Sequence, residues 1–187
     1  KKIIKIKPDF ADAHYNLGII YKKLNQIDNS IYHYECCIKI NPNKYEAFNN
    51  LGNVYKDKQE TQLAIENYLK CLEKQPNYLI ALQNFGVCLQ NFKFTKQSLI
   101  VEKHIINLLE KNKILRPVDI VKSLTNYLYL DKKFTEIIEN CGELRKNYIL
   151  ENLINDVLNF EILIQLLKIT QITDIKIEKV LRHLRSD

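Results

Sequence analysis

The chain has 187 residues, a net charge of +6 and 46% hydrophobic residues, with four glycines and four prolines. This composition excludes wholesale disorder, and so few turn residues disfavour β-rich or loop-rich folds. Acidic residues alternate with the lysines instead of leaving a basic patch, so we expect no nucleic-acid binding.

Elements that would place the chain in a membrane or outside the cell are not recognisable in the sequence. The most apolar stretch covers 162–167, far short of the roughly 20 residues that a membrane helix needs. The start of the chain lacks the features of a secretory signal. The five cysteines form no C-x-x-C pair, and the four histidines are scattered. We therefore expect a cytoplasmic protein with no metal site and no cofactor.

A 34-residue period organises the first 109 residues. It is carried by glycines, prolines, small residues and tyrosines: Gly18, Gly52 and Gly86; Pro8, Pro42 and Pro76; Ser30, Ala64 and Ser98; Tyr34 and Tyr68. Glycine and a small residue let two helices approach closely, and tyrosines fill the space between them. Proline ends one helix or begins the next. Each unit is thus predicted to be a helix hairpin, too small to bury its apolar face unless it stacks on a neighbour.

The first two units share one pattern, which reads His14-x2-Leu17-Gly18-x2-Tyr21…Ser30-x3-Tyr34…Pro42 and Phe48-x2-Leu51-Gly52-x2-Tyr55…Ala64-x3-Tyr68…Pro76. It resembles the tetratricopeptide-repeat signature W-x2-L-G-x2-Y…A-x3-F…P. A third unit is looser, with Leu89 and Glu102 at two of the aromatic positions. The resemblance implies an all-α fold, an α-solenoid of antiparallel hairpins in a right-handed superhelix, and a function in binding other polypeptides.

The pattern divides the chain at regular points. Residues 1–10 are predicted to end a preceding repeat, 11–44 and 45–78 to be repeats, 79–112 a divergent repeat, and 113–187 a divergent helical extension with a degenerate fourth hairpin and capping or junction helices. The helix pairs are expected at 11–24/28–40, 45–58/62–74 and 79–92/96–109. On this interpretation the chain is a fragment of a longer protein.

The last segment, 172–187, resembles the junction before the catalytic domain in bacterial proteins that fuse these repeats to methyltransferase-type domains. The alternative function is therefore the recognition arm of a fused methyltransferase or glycosyltransferase whose catalytic domain lies outside this chain. The chain itself contains no nucleotide-binding, zinc-protease or serine-hydrolase pattern. We expect no catalytic residues and no enzyme activity within it.

The candidate binding residues follow the same period. Asn16, Asn50 and Asn84 precede the glycine by two residues in each unit. A carboxamide donates and accepts hydrogen bonds and can hold an extended peptide backbone. These positions match the asparagine ladder of O-linked N-acetylglucosamine transferases. The same asparagines could instead stabilise the repeat, and self-association of the array is a further alternative. The rest of the predicted concave groove for a protein or peptide ligand comprises Tyr15, Lys22, Asn49, Asn53, Lys56 and Gln83.

Overall fold

The computed structural model describes residues 10–90, 92–111 and 119–140, together with Ile162. These ranges contain eight α-helices and no β-strand: α1 (Ala11–Lys23), α2 (Ile27–Ile40), α3 (Tyr45–Asp57), α4 (Thr61–Lys74), α5 (Leu79–Leu89), α6 (Leu99–Glu110), α7 (Val121–Leu128) and α8 (Lys132–Asn140). The predicted all-α class is confirmed for these residues. The chain divides into two compact units, 1–88 and 89–187, and each is treated separately.

The first helices of the first two hairpins, α1 and α3, end in the same turn. Each is followed by a residue with positive φ, Asn25 at 56° and Gln59 at 63°. The N–H of Gln26 donates to the Tyr21 carbonyl at 2.8 Å, and the N–H of Asn25 donates to the Lys22 carbonyl at 3.0 Å. Both bonds recur 34 residues later, from Glu60 to Tyr55 and from Gln59 to Lys56, each at 2.9 Å. This Schellman-type ending satisfies helix carbonyls and sends the chain back along the preceding helix.

Within each of the first two hairpins a glycine faces a buried tyrosine ring. A Cβ atom at Gly18 would lie 2.6 Å from Cε1 of Tyr34, and one at Gly52 would lie 2.6 Å from Cε1 of Tyr68. Both rings are almost fully buried, with 1% and 0% of their surface exposed. Because no side chain fits in that space, the glycines allow α1 to pack on α2 and α3 on α4 around a large aromatic residue.

The small and sulfur-containing positions of the period lie in the same cores. Ser30 and Ala64 are buried, and the Ser30 hydroxyl donates to the Gly18 carbonyl at 2.8 Å. Cys37 and Cys71 are buried one period apart. Burial raises the pKa of the Cys37 thiol to about 11 and that of Cys71 to about 12. These cysteines serve as small core residues.

The two hairpins stack through α3, which contacts α4 of its own hairpin and both α1 and α2 of the preceding one. A buried cluster spans this junction and contains Tyr34, Cys37, Ala47, Leu51 and Val54. The stacking buries faces that a single hairpin would leave exposed, which is how repeat proteins form a continuous core.

The third predicted pair differs from the first two. Its helices are α5 and α6, which end at Leu89 and begin at Leu99 instead of at the expected positions 92 and 96. Phe94 is buried there, with its ring centroid 4.9 Å from that of Tyr127. The Tyr127 hydroxyl accepts the Ser98 N–H and donates to the Ser98 carbonyl, both at 2.9 Å. Ser98 has an extended backbone and is half-buried just before α6, whereas Ser30 and Ala64 are buried within α2 and α4.

The second unit continues with α7 and α8. The Ser123 hydroxyl donates to the Leu89 carbonyl, and the Asp131 carboxylate accepts the N–H of Phe134 at 3.0 Å, in the first turn of α8. The helices predicted within 148–169 and 173–187 lie outside the described residues, except that Ile162 is helical and buried. In the described ranges, no helix has the length and apolar character needed to cross a membrane.

Candidate functional site

The predicted binding residues lie on α1, α3 and α5, all in the first unit. Asn16 is exposed on α1, while Asn50 and Asn84 are half-buried on α3 and α5. The first helix of each hairpin therefore contributes one asparagine of the 34-residue series, as the period requires.

Hydrogen bonds join four side chains across these three helices. Nδ2 of Asn84 donates to Oδ1 of Asn49 at 3.1 Å, and Nδ2 of Asn49 donates to Oδ1 of Asn50 at 3.3 Å. Nδ2 of Asn50 then donates to the hydroxyl of Tyr15 at 3.1 Å. We call Asn84, Asn49, Asn50 and Tyr15 the amide relay. Every donor in it is directed toward the Tyr15 end.

The relay follows a 35-residue register between repeats. Asn84 bonds to the residue 35 positions before it, and so does Asn50. The side chain of Asn16 makes no hydrogen bond with another described residue. The first repeat is therefore represented in the relay by Tyr15 and not by Asn16.

The carboxamides of Asn49 and Asn53 both form hydrogen bonds within the protein. Asn49 has only 3% of its surface exposed, and its carboxamide is bonded to Asn50 and Asn84. Oδ1 of Asn53 accepts the hydroxyl of Tyr68 at 2.8 Å. Asn49 therefore has little surface left for a ligand, although the sequence groups it with the binding residues.

Two ion pairs connect α1 to the start and end of α3. Nζ of Lys22 lies 2.9 Å from a carboxylate oxygen of Asp57, and Nζ of Lys44 lies 3.1 Å from one of Asp12. The hydrogen bond to Asp12 raises the pKa of Lys44 above its ordinary value. The same ammonium lies 5.2 Å from the centroid of the Tyr15 ring. Sequence reasoning missed Lys44, because it stands one residue before α3 and the repeat pattern has no signature there.

Tyr15 joins the relay to the core. Its ring lies 6.1 Å from that of Tyr34, and burial raises the pKa of its hydroxyl above the ordinary value. The hydroxyl therefore keeps its proton at neutral pH. Since its oxygen already accepts the Asn50 amide, its own hydrogen is available to a ligand acceptor.

The remaining predicted residues lie beside the relay without joining it. Lys56 is half-buried and forms no ion pair with a described residue, and Gln83 is exposed on α5. Ile80 and Val87 have 53% and 41% of their surface exposed on the same helix. The third helix thus adds apolar side chains to a face that is otherwise polar.

The structure pairs two histidines that the sequence leaves apart. Nδ1 of His14 and Nδ1 of His33 lie 3.0 Å from each other, and the Tyr21 ring stacks on His33 with centroids 5.2 Å apart. Among the described residues, no group of three or more His, Cys, Asp or Glu side chains could hold a metal ion. We interpret the pair as a hydrogen-bonded contact of the first hairpin.

Stacked helix hairpins with one hydrogen-bonding row on their first helices define a protein of the α-solenoid repeat class. The tetratricopeptide repeat family model matches residues 11–44 and 45–78, and these residues form two tetratricopeptide repeats. Repeats of this family form a scaffold for protein interactions and are not a catalytic fold. A search of curated proteins finds no significant match.

Proposed function

We propose that the first unit binds an extended segment of another protein along the face of α1, α3 and α5 that carries the amide relay. The observation that supports this proposal is the row of bonds from Asn84 through Asn49 and Asn50 to Tyr15. It holds polar side chains of three successive repeats in fixed relative positions, which lowers the entropy lost when a ligand orders them.

The relay leaves hydrogen-bonding capacity for a peptide. Asn84 donates one N–H within the relay, and a carboxamide has two. The Asn84 oxygen accepts no hydrogen bond from a described residue, and the Tyr15 hydroxyl keeps its hydrogen. An extended polypeptide presents both N–H and C=O groups along its length and can satisfy these positions without regard to its side chains.

Two of the lysines on this face are already paired, so we expect that the ligand is not recognised mainly by its charge. Lys22 and Lys44 are already paired with Asp57 and Asp12. Lys56 is available for one carboxylate, and Ile80 and Val87 can contact apolar side chains. We therefore propose an extended segment of mixed composition as the ligand.

The alternative function, a recognition arm of a fused methyltransferase or glycosyltransferase, rests on residues 172–187, which lie outside the described residues. Under that alternative the same face binds the protein substrate of the catalytic domain, and the proposed mode of binding is unchanged.

Peptide display tests the proposal with ligands drawn from a random library. Peptides are selected on the folded chain, and the affinity of one selected peptide is measured for variants. We expect Asn16→Ala to weaken binding without lowering the melting temperature, because Asn16 makes no bond to a described residue. Changing Asn50 and Asn84 together to Ala should weaken binding roughly fivefold to a hundredfold, since each lost hydrogen bond contributes about 0.5–1.5 kcal/mol.

Asn29→Ala is the matched control, because Asn29 is an exposed asparagine on α2, outside the proposed face. It should leave affinity unchanged. The Asn50/Asn84 variant also loses relay bonds, so binding is compared at a temperature where circular dichroism shows both proteins folded. Equal affinity of selected peptides for the parent and for all the α1, α3 and α5 variants would contradict the proposal.

A further inference from the structure

The buried member of the relay is Asn49, at the centre of the face described above. Its oxygen accepts from Asn84 and its nitrogen donates to Asn50, at 3.1 and 3.3 Å. With 3% of its surface exposed, it touches both candidate ligand-binding amides while having almost no surface for a ligand itself.

These two bonds fix which way each carboxamide points. A 180° flip of the Asn49 amide would set its NH2 group against the NH2 group of Asn84 and its oxygen against the oxygen of Asn50. Both contacts are repulsive, and a buried carboxamide without partners is costly. The orientation of Asn49 therefore determines the orientation of Asn50, and so the bond from Asn50 to Tyr15.

We infer that Asn49 is a positioning residue, which acts on the ligand only through Asn50 and Asn84 by holding their carboxamides in one orientation. The role of Asn49 in ligand binding rests on the proposed function. Its effect on the orientation of Asn50 and Asn84 concerns the free protein and can be measured without a ligand.

Two substitutions of Asn49 distinguish the effects of its two hydrogen bonds. Asn49→Leu is similar in size and removes both. Asn49→Asp keeps an acceptor for Asn84 but places a carboxylate against the oxygen of Asn50, which should turn the Asn50 amide away from Tyr15. Chain labelled with 15N-asparagine reports the side-chain NH2 groups of Asn50 and Asn84 one by one, and backbone amide spectra show whether each variant is folded.

In Asn49→Leu we expect the side-chain NH2 protons of both Asn50 and Asn84 to exchange with water roughly two- to tenfold faster than in the parent, the effect of one lost hydrogen bond. In Asn49→Asp only those of Asn50 should do so, while those of Asn84 keep the parent rate. Asn29 NH2 protons serve as the internal control. Parent-like exchange at Asn50 and Asn84 in a folded Asn49→Leu chain would overturn the inference.

Binding of a display-selected peptide gives the second readout. Asn49→Leu should weaken it about as much as Asn50→Ala, although Asn49 is buried. Unchanged affinity in the presence of faster exchange would show that relay geometry does not serve binding and would overturn the role of Asn49 in recognition. If no peptide is selected at all, the proposed function fails, and the exchange rates still decide whether Asn49 orients its neighbours.

Discussion

The first two hairpins and the third predicted pair carry the same glycine spacing and fold differently. In α1–α2 and α3–α4, a glycine faces a buried tyrosine, and a Cβ there would lie 2.6 Å from the ring. In the third predicted repeat Glu102 stands at the position of the tyrosine, and α6 begins only at Leu99. The comparison indicates that a hairpin of this kind needs the ring as well as the glycine that makes room for it.

The turns differ in the same way. Asn25 and Gln59 adopt positive φ and end α1 and α3, whereas Lys93, one period later, does not. Residues 94–98 are held instead by the contact of Phe94 with Tyr127 and by the two bonds between Tyr127 and Ser98. Side chains of α7 thus hold residues 94–98 in place, whereas a tight turn follows the first helix in each of the first two hairpins.

The largest predicted effect is a loss of stability at alkaline pH, which arises in the first two hairpins. Burial raises the pKa of Cys37 to about 11 and that of Cys71 to about 12, from an ordinary value of 9.0. Below pH 9 both states keep these protons, so the stabilisation is complete. Above pH 9 the unfolded chain loses these protons first, and stability falls by about 1.4 kcal/mol per pH unit for each thiol until the pH reaches the pKa of that thiol in the folded chain.

Urea unfolding at pH 8 and pH 11 measures this loss, which should amount to several kcal/mol on this basis. The double variant Cys37→Ala/Cys71→Ala should show a smaller fall, since alanine has no proton to lose. An identical fall in parent and variant would remove the thiols from the explanation.

Gly52→Ala tests the glycine–tyrosine contact. The added Cβ would meet the Tyr68 ring, and we expect a destabilisation of about 1–3 kcal/mol even though alanine favours helix. Gly86→Ala, whose period partner is Glu102, should cost less. Urea midpoints compare the two, and the cost of Gly52→Ala should shrink in a Tyr68→Leu background. Equal costs at Gly52 and Gly86 would break the comparison between hairpins.

Tyr127→Phe should destabilise the second unit by about 1–2 kcal/mol, because the Ser98 N–H and carbonyl both lose a partner. The ring contact with Phe94 stays. Hydrogen exchange at the Ser98 amide should quicken, while amides of α1–α4 keep their rates. The exposed Tyr32 provides the control as Tyr32→Phe. Unchanged exchange at Ser98 would mean that another contact holds the loop.

Gln59→Gly should stabilise the chain by about 0.5–1 kcal/mol, the smallest of these effects. A glutamine at φ 63° carries a steric cost that glycine lacks. Lys93→Gly should instead destabilise, because Lys93 does not use positive φ. Melting temperatures decide the sign, and a gain at Lys93 equal to that at Gln59 would show that the two turns are alike.

Much of the first unit is predictable from the sequence. The 34-residue period places the ends of the first four helices within one residue, because glycine, tyrosine and small residues recur at fixed separations. The prediction for the third pair is wrong at both inner ends, since the period counts positions and cannot weigh a missing ring at Glu102. Phe94 and Tyr127 compensate through a contact between residues 33 positions apart, which no local pattern reveals.

For the candidate site, the sequence predicts which helices carry the proposed residues but not the hydrogen bonds between them. The period places Asn16, Asn50 and Asn84 on equivalent turns, but the hydrogen bonds use a register of 35 and pass through Asn49. That register depends on how far each side chain reaches across stacked helices. The ion pair of Lys44 with Asp12 depends on the same stacking.

The central claim is that a peptide binds the face of α1, α3 and α5, and one titration tests it most directly. A display-selected peptide is added to 15N-asparagine-labelled chain, and the side-chain amide signals are followed. We expect the signals of Asn16, Asn50 and Asn84 to shift on saturation, while that of Asn29, exposed on α2, stays fixed. Unchanged signals of Asn16, Asn50 and Asn84 at saturation would contradict the claim.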